Sequence, residues 1–493
     1  MYVILRVIDK PSALFPQCIN KRTAIPREVN CHESRPWETL FDARIFTCAI
    51  SAFPIGWQSN RGTMSLKSTF RALQYRNYRL FFLGQGTSLI GTWMQRVATS
   101  WLVYRLTGSA VMLGVVGFVS QIPTFILSPV GGVAADRWNK KTIFLVTQIL
   151  AAAQALILAV LVVKGTVTVQ WIIALNIVLG VVNAFDITAR QSFVIEMIER
   201  KEDLGNAIAL NSSMVNGARL VGPSITGILI ASVGEGICFL INSISYLIVI
   251  IALLAMKIPA KRKGPKNTRV LHDFREGFAY VYRSVSMRSI ILLLALVSLL
   301  GMPYQVLMPV FAKQVLGGGP HTLGFLMGAA GFGALCGAIY LASRKSSQNV
   351  RKLIPASACL FGIGLIAFSF SRVLWLSLPL MSCAGCGMMI QMASSNTSLQ
   401  ILVDDDKRGR VMAFYAMAFM GMAPFGSLLA GSLAGLIGAP YTLTIGGTLC
   451  ILGGLAFYRN IVLSRDVVRP PEVAVTPEMA TGIESSEEVT ESL

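Results

Sequence analysis

A handful of charged side chains stand in stretches of this chain that are otherwise almost wholly apolar: Arg96, Asp186 with Arg190 four residues on, and Arg219. A charge held in such surroundings is expensive, and what it can do there is neutralise a charged cargo, carry a proton or brace a neighbouring helix. A second cluster lies in GGVAADRWNKKT, Gly131 to Thr142, where Gly132, Asp136, Arg137, Lys140 and Lys141 form a charged hinge between two apolar runs. Other constellations carry less. The run Asp404-Asp405-Asp406 has the carboxylates to hold a metal and a diphosphate, as a lipid-linked transferase would need. It adjoins Lys407, Arg408 and Arg410 and faces no second acidic cluster, so salt bridging within a loop is the simpler reading. Cys383-Ala-Gly-Cys386 has redox spacing without the strand context or basic flank of a redox motif, and packing of small apolar side chains accounts for it. His32, His272 and His321 lie away from span centres, which argues against a histidine metal site, and the lack of a phosphate-cradling glycine loop with its Lys and Ser/Thr argues against an ATP-driven pump. Nothing in the chain demands a cofactor.

The elements that hold these groups follow from composition. The chain is 54% hydrophobic and 14% charged, with a mean hydropathy of +0.62, far from the roughly one-quarter charged content of soluble domains. A bilayer crossing needs about 20 mainly apolar residues. Twelve such stretches fit, at 80–104, 109–134, 142–163, 168–190, 205–233, 237–256, 289–315, 321–343, 351–371, 374–402, 409–436 and 440–463. Runs this long and apolar on every face exclude alternating barrel strands, so the fold class is all-α integral membrane. Lysines and arginines cluster on alternate loops: Lys67, Arg71, Arg76 and Arg79 before span one, Arg137, Lys140 and Lys141 after span two, nine basic residues between Lys257 and Arg288, and Lys407, Arg408 and Arg410 after span ten. The bias of basic loops places both termini in the cytoplasm. The formal charge of +19 is then a topology signal that meets lipid headgroups; the scatter of basic residues over many short loops excludes a nucleic-acid partner.

The expected organisation is residues 1–63 as a disordered or untranslated extension with Met64 the true start, a six-helix bundle over 64–256, a basic cytoplasmic linker over 257–288, a second six-helix bundle over 289–464 and a disordered acidic tail over 465–493. The bundles repeat. An offset of 204 residues lays Gly217, Gly222, Gly227 and Gly234 on Gly421, Gly426, Gly431 and Gly438. Such glycines, with Pro223, allow close helix approach and bending. Polar residues recur at helical spacing and predict a water-filled pathway: Gln85, Ser88, Thr92, Gln95, Arg96 and Thr99 in span one; Asn176, Asn183, Asp186 and Arg190 in span four; Ser212, Asn216 and Arg219 in span five; Tyr304 and Gln305 in span seven; Gln391, Ser394 and Ser398 in span ten. For each of these, an interhelical hydrogen bond is the alternative.

The hinge Gly132-Val133-Ala134-Ala135-Asp136-Arg137-Trp138-Asn139-Lys140-Lys141 resembles the motif that follows span two in the major facilitator superfamily. It departs from that motif at Ala134 (leucine) and Asn139 (glycine), the second being compatible with a left-handed turn. DITARQSFVIEMI, from Asp186, followed by LGNAIALNSSMVNGARLVGPSITGILIA, from Leu204, resembles the exporter branch that includes enterobactin exporters and macrolide efflux proteins. The likeness runs over roughly 64–465; the second half has Ser346 where a counterpart of Asp136 would stand. The resemblance implies a secondary active exporter of a drug, siderophore or other metabolite, driven by protons, in the bacterial inner membrane. Asp136 would then hold the cytoplasmic side shut by pairing with basic residues or a helix N-terminus. Parallel halves suit alternating access around a midplane site. With Arg96, Arg190 and Arg219 facing one clear acid, Asp186, an anionic or neutral polar small molecule is the expected cargo, and Asp186 is the candidate within the spans for proton coupling. An importer or a non-transporting sensor of the same fold, or the lipid transferase above, are the competing readings. A monomer is the expected state.

Overall fold

Hydropathy dictates helices, and helices are what forms. The computed structural model describes residues 71–198, 200–256, 270–344 and 350–463. The expected N-terminal extension, the acidic tail, residues 257–269 of the linker and Ser346 lie outside the described residues. Twelve long helices follow one another: α1 Arg76–Thr107, α2 Ala110–Arg137, α3 Lys140–Val163, α4 Val169–Glu196, α5 Leu204–Val233, α6 Glu235–Ala255, α7 Val285–Val315, α8 Pro320–Ala342, α9 Val350–Phe370, α10 Leu374–Leu402, α11 Arg408–Ile437 and α12 Ala439–Ile461. Eleven of them are long and apolar enough to cross a membrane. The exception, α1, has 32 residues and is the most polar, carrying Arg76, Arg79, Arg96 and Arg105. At 1.5 Å per residue it is about 48 Å long, enough to span the hydrocarbon and both interfaces.

The helices form two six-helix bundles with matching partners. In the first, α1 packs on α5 and α6, α3 on α4 and α6, and α2 on α4; in the second, α7 packs on α11, α9 on α10 and α12, and α8 on α10. The bundles meet along two seams, α5 against α8 and α2 against α11. The repeat is visible in the backbone: Gly234 (φ 84°) and Gly438 (φ 87°), 204 residues apart, each close one helix and start the next in a conformation that favours glycine. Outward side chains such as Leu436, Ile251 and Leu254 are strongly exposed, as lipid-facing residues must be, whereas Tyr78, Phe81, Phe144 and Phe193 fill the interior of the first bundle.

Two features depart from the sequence reading. The linker is not all loop: Val270–Arg283 is a helix ahead of α7, which itself starts at Val285, before the expected residue 289. Three five-residue π turns, Val297–Gly301 and Phe311–Val315 in α7 and Met417–Gly421 in α11, each widen a helix locally, a device common where a helix must bend or serve a site.

The end of α8 and the loops α2–α3, α4–α5 and α10–α11 lie at one end with the linker helix, and this is called the basic end below. The opposite end carries a buried acid, Glu235, which receives Arg105 Nε at 2.8 Å and ties the end of α1 to the start of α6.

Candidate functional site: a central cavity closed at one end

A cavity of about 980 Å³ lies between the bundles. Its wall is built mainly from α1, α2, α4 and α11, with single contributions such as Tyr246 of α6 and Met327 of α8. It runs toward the basic end as far as Ser128 and Pro129, about two turns short of the end of α2, and Gly409 and Arg410 in the first turn of α11. At the opposite end the bundles touch through backbone. A Cβ on Gly114 would lie 2.9 Å from Gly431 Cα, and one on Gly227 would lie 2.8 Å from Gly324 Cα. Glycine is required at these crossings because any side chain would push the bundles apart.

Of the residues singled out from sequence, Thr92, Gln95, Arg96, Asn183 and Gln305 line the cavity, together with Thr99 and Asn176. The others go elsewhere. Gln85 and Gln391 are buried between helices, and Gln391 Nε2 donates to Ser395 Oγ at 3.4 Å within α10. Asn216 donates back to the Ser212 carbonyl of α5 at 2.9 Å. Tyr304 sets its ring edge-on to Phe361 of α9, with centroids 6.1 Å apart. Asp186 turns away from the lumen: its Oδ1 accepts from Gln148 Nε2 at 2.7 Å and Thr147 Oγ1 at 3.1 Å on α3, and Arg190 lies 3.7 Å from its second oxygen. Its neighbours on α4, Asn183 and Ile187, do face the cavity.

Behind the polar wall runs a ladder of side-chain amides. Asn242 Nδ2 donates to Gln95 Oε1 at 2.6 Å, and Gln95 Nε2 donates to Gln154 Oε1 at 2.9 Å, joining α6, α1 and α3. Gly91 lets α6 approach closely enough for this, since a Cβ there would run into Asn242. Tyr246 OH lies 3.4 Å from Thr92 Oγ1, and both face the lumen. The remaining donor of Gln154 and the side-chain oxygen of Gln148 are buried with no partner, sites that suit ordered water.

Arg96 is exposed, but onto the cavity, with helices enclosing it on its other sides. Its guanidinium sits 4.7 Å from the centroid of Trp93, and the guanidinium of Arg219 on α5 sits 5.5 Å from the same ring. Arg219 also reaches Met388 Sδ on α10 at 3.7 Å. Trp93, Tyr246 and the apolar wall of Phe125, Met417 and Met420 are parts of this region that sequence reasoning passed over, because an apolar side chain facing a cavity has the same pattern as one facing lipid.

At the basic end the hinge after α2 is a sharp turn, but not a left-handed one. Asn139 has φ −66° and acts as the cap of α3, its Oδ1 accepting from Lys141 N at 2.9 Å, so the expected positive-φ role is corrected to capping. Lys140 Nζ pairs with Glu196 of α4 at 2.6 Å, and Lys141 Nζ donates to the Met256 carbonyl at the end of α6 at 2.7 Å. Asp136 and Arg137 are exposed, and among the described residues Asp136 has no hydrogen-bond or ion-pair partner. Gly132 has open space around it; the crowded residue is Gly131, pressed against the Ala184 carbonyl. The acidic run is already engaged, Asp404 accepting from Tyr280 OH of the linker helix at 2.9 Å and Asp405 pairing with Arg408 three residues on.

Two bundles of six helices around a lumen sealed at one end define a membrane transporter of the major facilitator class. The chain belongs to the family described as transmembrane secretion effectors, which matches residues 67–483. Relatives include the staphyloferrin A transporter of Staphylococcus aureus, 26% identical over 392 residues, covering 77% of this chain and 95% of the relative. Macrolide efflux protein A of Streptococcus pyogenes is 22% identical over 386 residues, with 77% and 95% covered. The multidrug efflux pump Tap of Mycolicibacterium fortuitum is 24% identical, with 76% and 93% covered. Among solved structures, a bacterial homologue of the lysosomal transporter Spinster superposes with a TM-score of 0.62 at 13% identity, covering 78% of this chain and 97% of that one. A POT family transporter does so with 0.65 at 11%, covering 80% and 97%. At these identities the structures establish the fold alone.

Proposed function

We propose that this transporter exports a small molecule by alternating access, driven by protons, from a bacterial inner membrane in which the basic end and both termini face the cytoplasm. The observation that carries the reading is the cavity itself, closed off at one end by backbone contacts between glycines and extending at the basic end to the first turn of α11. With the basic end cytoplasmic, as the lysine and arginine bias supports, this is the state that admits a molecule from inside the cell. The efflux names of two of the relatives favour export over import.

In this state the hinge is unlatched. Asp136 is exposed, and Gly132 has room for a side chain it does not carry; both acquire their use when the basic end closes and the facing bundle approaches. Arg137, Lys140 and Lys141 supply the charge that Asp136 meets there or hold the loop that presents it. Asp186 is the proton carrier: a buried carboxylate one helical turn from the lumen-facing Asn183, held by Thr147, Gln148 and Arg190, partners that shift when α3 and α4 move. The cargo is an anionic or neutral polar molecule, and the transporter works as a monomer.

The test is efflux from cells lacking their own exporters, carrying the full chain and loaded with a siderophore, a macrolide or a cationic dye, with and without a protonophore. Protonophore-sensitive loss of one compound is expected, with Asp186→Asn abolishing it. Uptake in place of loss would reverse the direction and favour an importer; retention of all three compounds would favour a sensor.

A further inference from the structure

The charge balance of the cavity identifies the kind of molecule it takes. Among the described residues its wall contains no aspartate, glutamate or lysine and two arginines, Arg96 and Arg410. Arg410, at the basic end, has its charge met by Glu276 at 2.9 Å. Arg96 does not: it lies deep in the lumen, no carboxylate among the described residues pairs with it, and the partner behind it is the face of Trp93. Arg219 adds a second cation on the same indole, also without a carboxylate. The one acid of the neighbouring helices, Asp186, is turned into α3 and already holds Arg190. A cation–π contact offsets only a small part of the cost of enclosing a guanidinium, far less than a paired anion does. The remaining counter-charge has to come from what enters the cavity.

Resting on the export reading above, we infer that Arg96 is the anion-recognition residue of the cavity and that the cargo is an amphiphilic organic anion. Its carboxylate or sulfonate lies on Arg96, where Gln95, Ser100 and Gln121 offer further polar contacts. Its apolar body lies along Phe125, Met417 and Met420, methionine being the side chain that adapts best to bodies of differing shape. The volume, about 980 Å³, is at the upper end of the roughly 300–1,000 Å³ of ligand pockets and admits a body of several fused rings. Arg219 acts from behind Trp93 as a positioning residue that keeps the indole, and with it Arg96, in place.

The test uses two xanthene dyes of similar body and opposite charge, fluorescein and rhodamine 6G, titrated by fluorescence polarisation against the full chain in phosphatidylcholine nanodiscs with no gradient applied. The wild type is expected to bind fluorescein saturably and rhodamine 6G at least about tenfold more weakly. Arg96→Gln is expected to weaken fluorescein about tenfold or more while Arg96→Lys keeps most of the affinity. Ser100→Asp, which places a carboxylate one turn from Arg96 and leaves the arginine in the fold, is expected to lose fluorescein and gain rhodamine 6G. Equal binding of fluorescein by wild type and Arg96→Gln, tighter wild-type binding of rhodamine 6G, or no fluorescein binding would overturn the inference. So would displacement of the dye by phosphatidylglycerol added to the disc, since the occupant would then be a lipid headgroup. The two readings separate cleanly: fluorescein bound through Arg96 but not expelled by energised cells overturns export and leaves the anion site, whereas protonophore-sensitive efflux of a cation that Arg96→Gln does not alter overturns the anion site and leaves export.

Discussion

The two seams between the bundles begin alike and end differently. At the sealed end each is a glycine pressed on a glycine, Gly227 on Gly324 between α5 and α8 and Gly431 on Gly114 between α11 and α2. Further in, the α5/α8 seam stays tight: Gly328 meets the Ser224 hydroxyl, and a Cβ on Gly331 would lie 2.8 Å from the Arg219 carbonyl and 2.9 Å from Leu220 Cα. The α2/α11 seam changes to aromatic rings. Phe118 and Phe425 meet edge to face at 5.8 Å, and the Phe125 ring covers Gly421, 2.5 Å from where its Cβ would be. Gly217, the counterpart of Gly421 by sequence, has nothing within 4 Å. The cavity lies along the aromatic seam, with many residues from α2 and α11 and one from α8. The repeated glycines thus set a symmetric seal, and the side chains between them decide which seam is a rigid join and which is the wall of the lumen.

The comparison is broken most directly at the seal. Gly227→Leu and Gly431→Leu each force a branched side chain into a backbone contact, and overpacking of this kind costs about 1–3 kcal/mol. Both variants are expected to expose the sealed end to a membrane-impermeant maleimide, read with a cysteine at Gly435, where a Cβ would touch Val111. If one variant opened that end and the other did not, the seal would not be symmetric. The middle of each seam sharpens the point with a smaller change. Gly331→Ala meets carbonyl and Cα atoms that cannot move without shifting α5, whereas Gly421→Ala meets a ring that can turn. The expected loss is about 1–3 kcal/mol for the first and under ~1 kcal/mol for the second, measured as thermal unfolding of the purified chain. Equal losses would mean that the aromatic seam is as rigid as the other.

Much of this was legible in the residues, for identifiable reasons. Hydropathy fixes which segments cross, and the offset of 204 residues puts Gly222 against α1 and Gly426 against α7, the same crossing in each bundle. The polar spacing of α1 finds Thr92, Gln95 and Arg96 on the lumen, whereas Gln85 and Ser88 of the same stripe are buried between helices. Rotation about α4 is harder to read: Asn183 and Asp186 are three residues apart, yet one faces the lumen and the other α3, since Thr147 and Gln148 supply a better site for a carboxylate. The helix Val270–Arg283 was hidden by the charges around it.

That helix and the lead-in to α1 form a second comparison, with the charges reversed. Before α1, the turn Arg71–Gln74 docks on the base of α5: Asp203 receives Arg71 at 3.3 Å and Tyr75 OH at 2.7 Å. Before α7, the linker helix docks on the base of α11: Glu276 meets Arg410 at 2.9 Å, Tyr280 OH donates to Asp404 at 2.9 Å, and Lys407 sits 4.8 Å over the Tyr280 ring. The hydrogen bond to Asp203 holds the Tyr75 phenol above its usual range, and burial does the same for Tyr280 against the lowering effect of the Asp404 backbone amide, so both stay donors at any physiological pH. Each clip fastens the first helix of a bundle to its fifth, so that α1 and α5, or α7 and α11, move together. The opposite charges give each clip its own partner: a basic lead-in is attracted to Asp203 and repelled by Lys407 and Arg410. Reversing one clip with Glu276→Lys is expected to cost about 0.5–1 kcal/mol, as rim charges do. Tyr280→Phe is expected to lower stability by about 0.5–1.5 kcal/mol, and Tyr75→Phe to lower it as well. The informative readout is efflux rate against thermal stability. If the clips couple helices within a bundle, Tyr280→Phe slows efflux in a background already weakened by Glu276→Lys by more than the product of the single effects. Multiplicative effects would show that the clips only add stability and leave helix motion uncoupled.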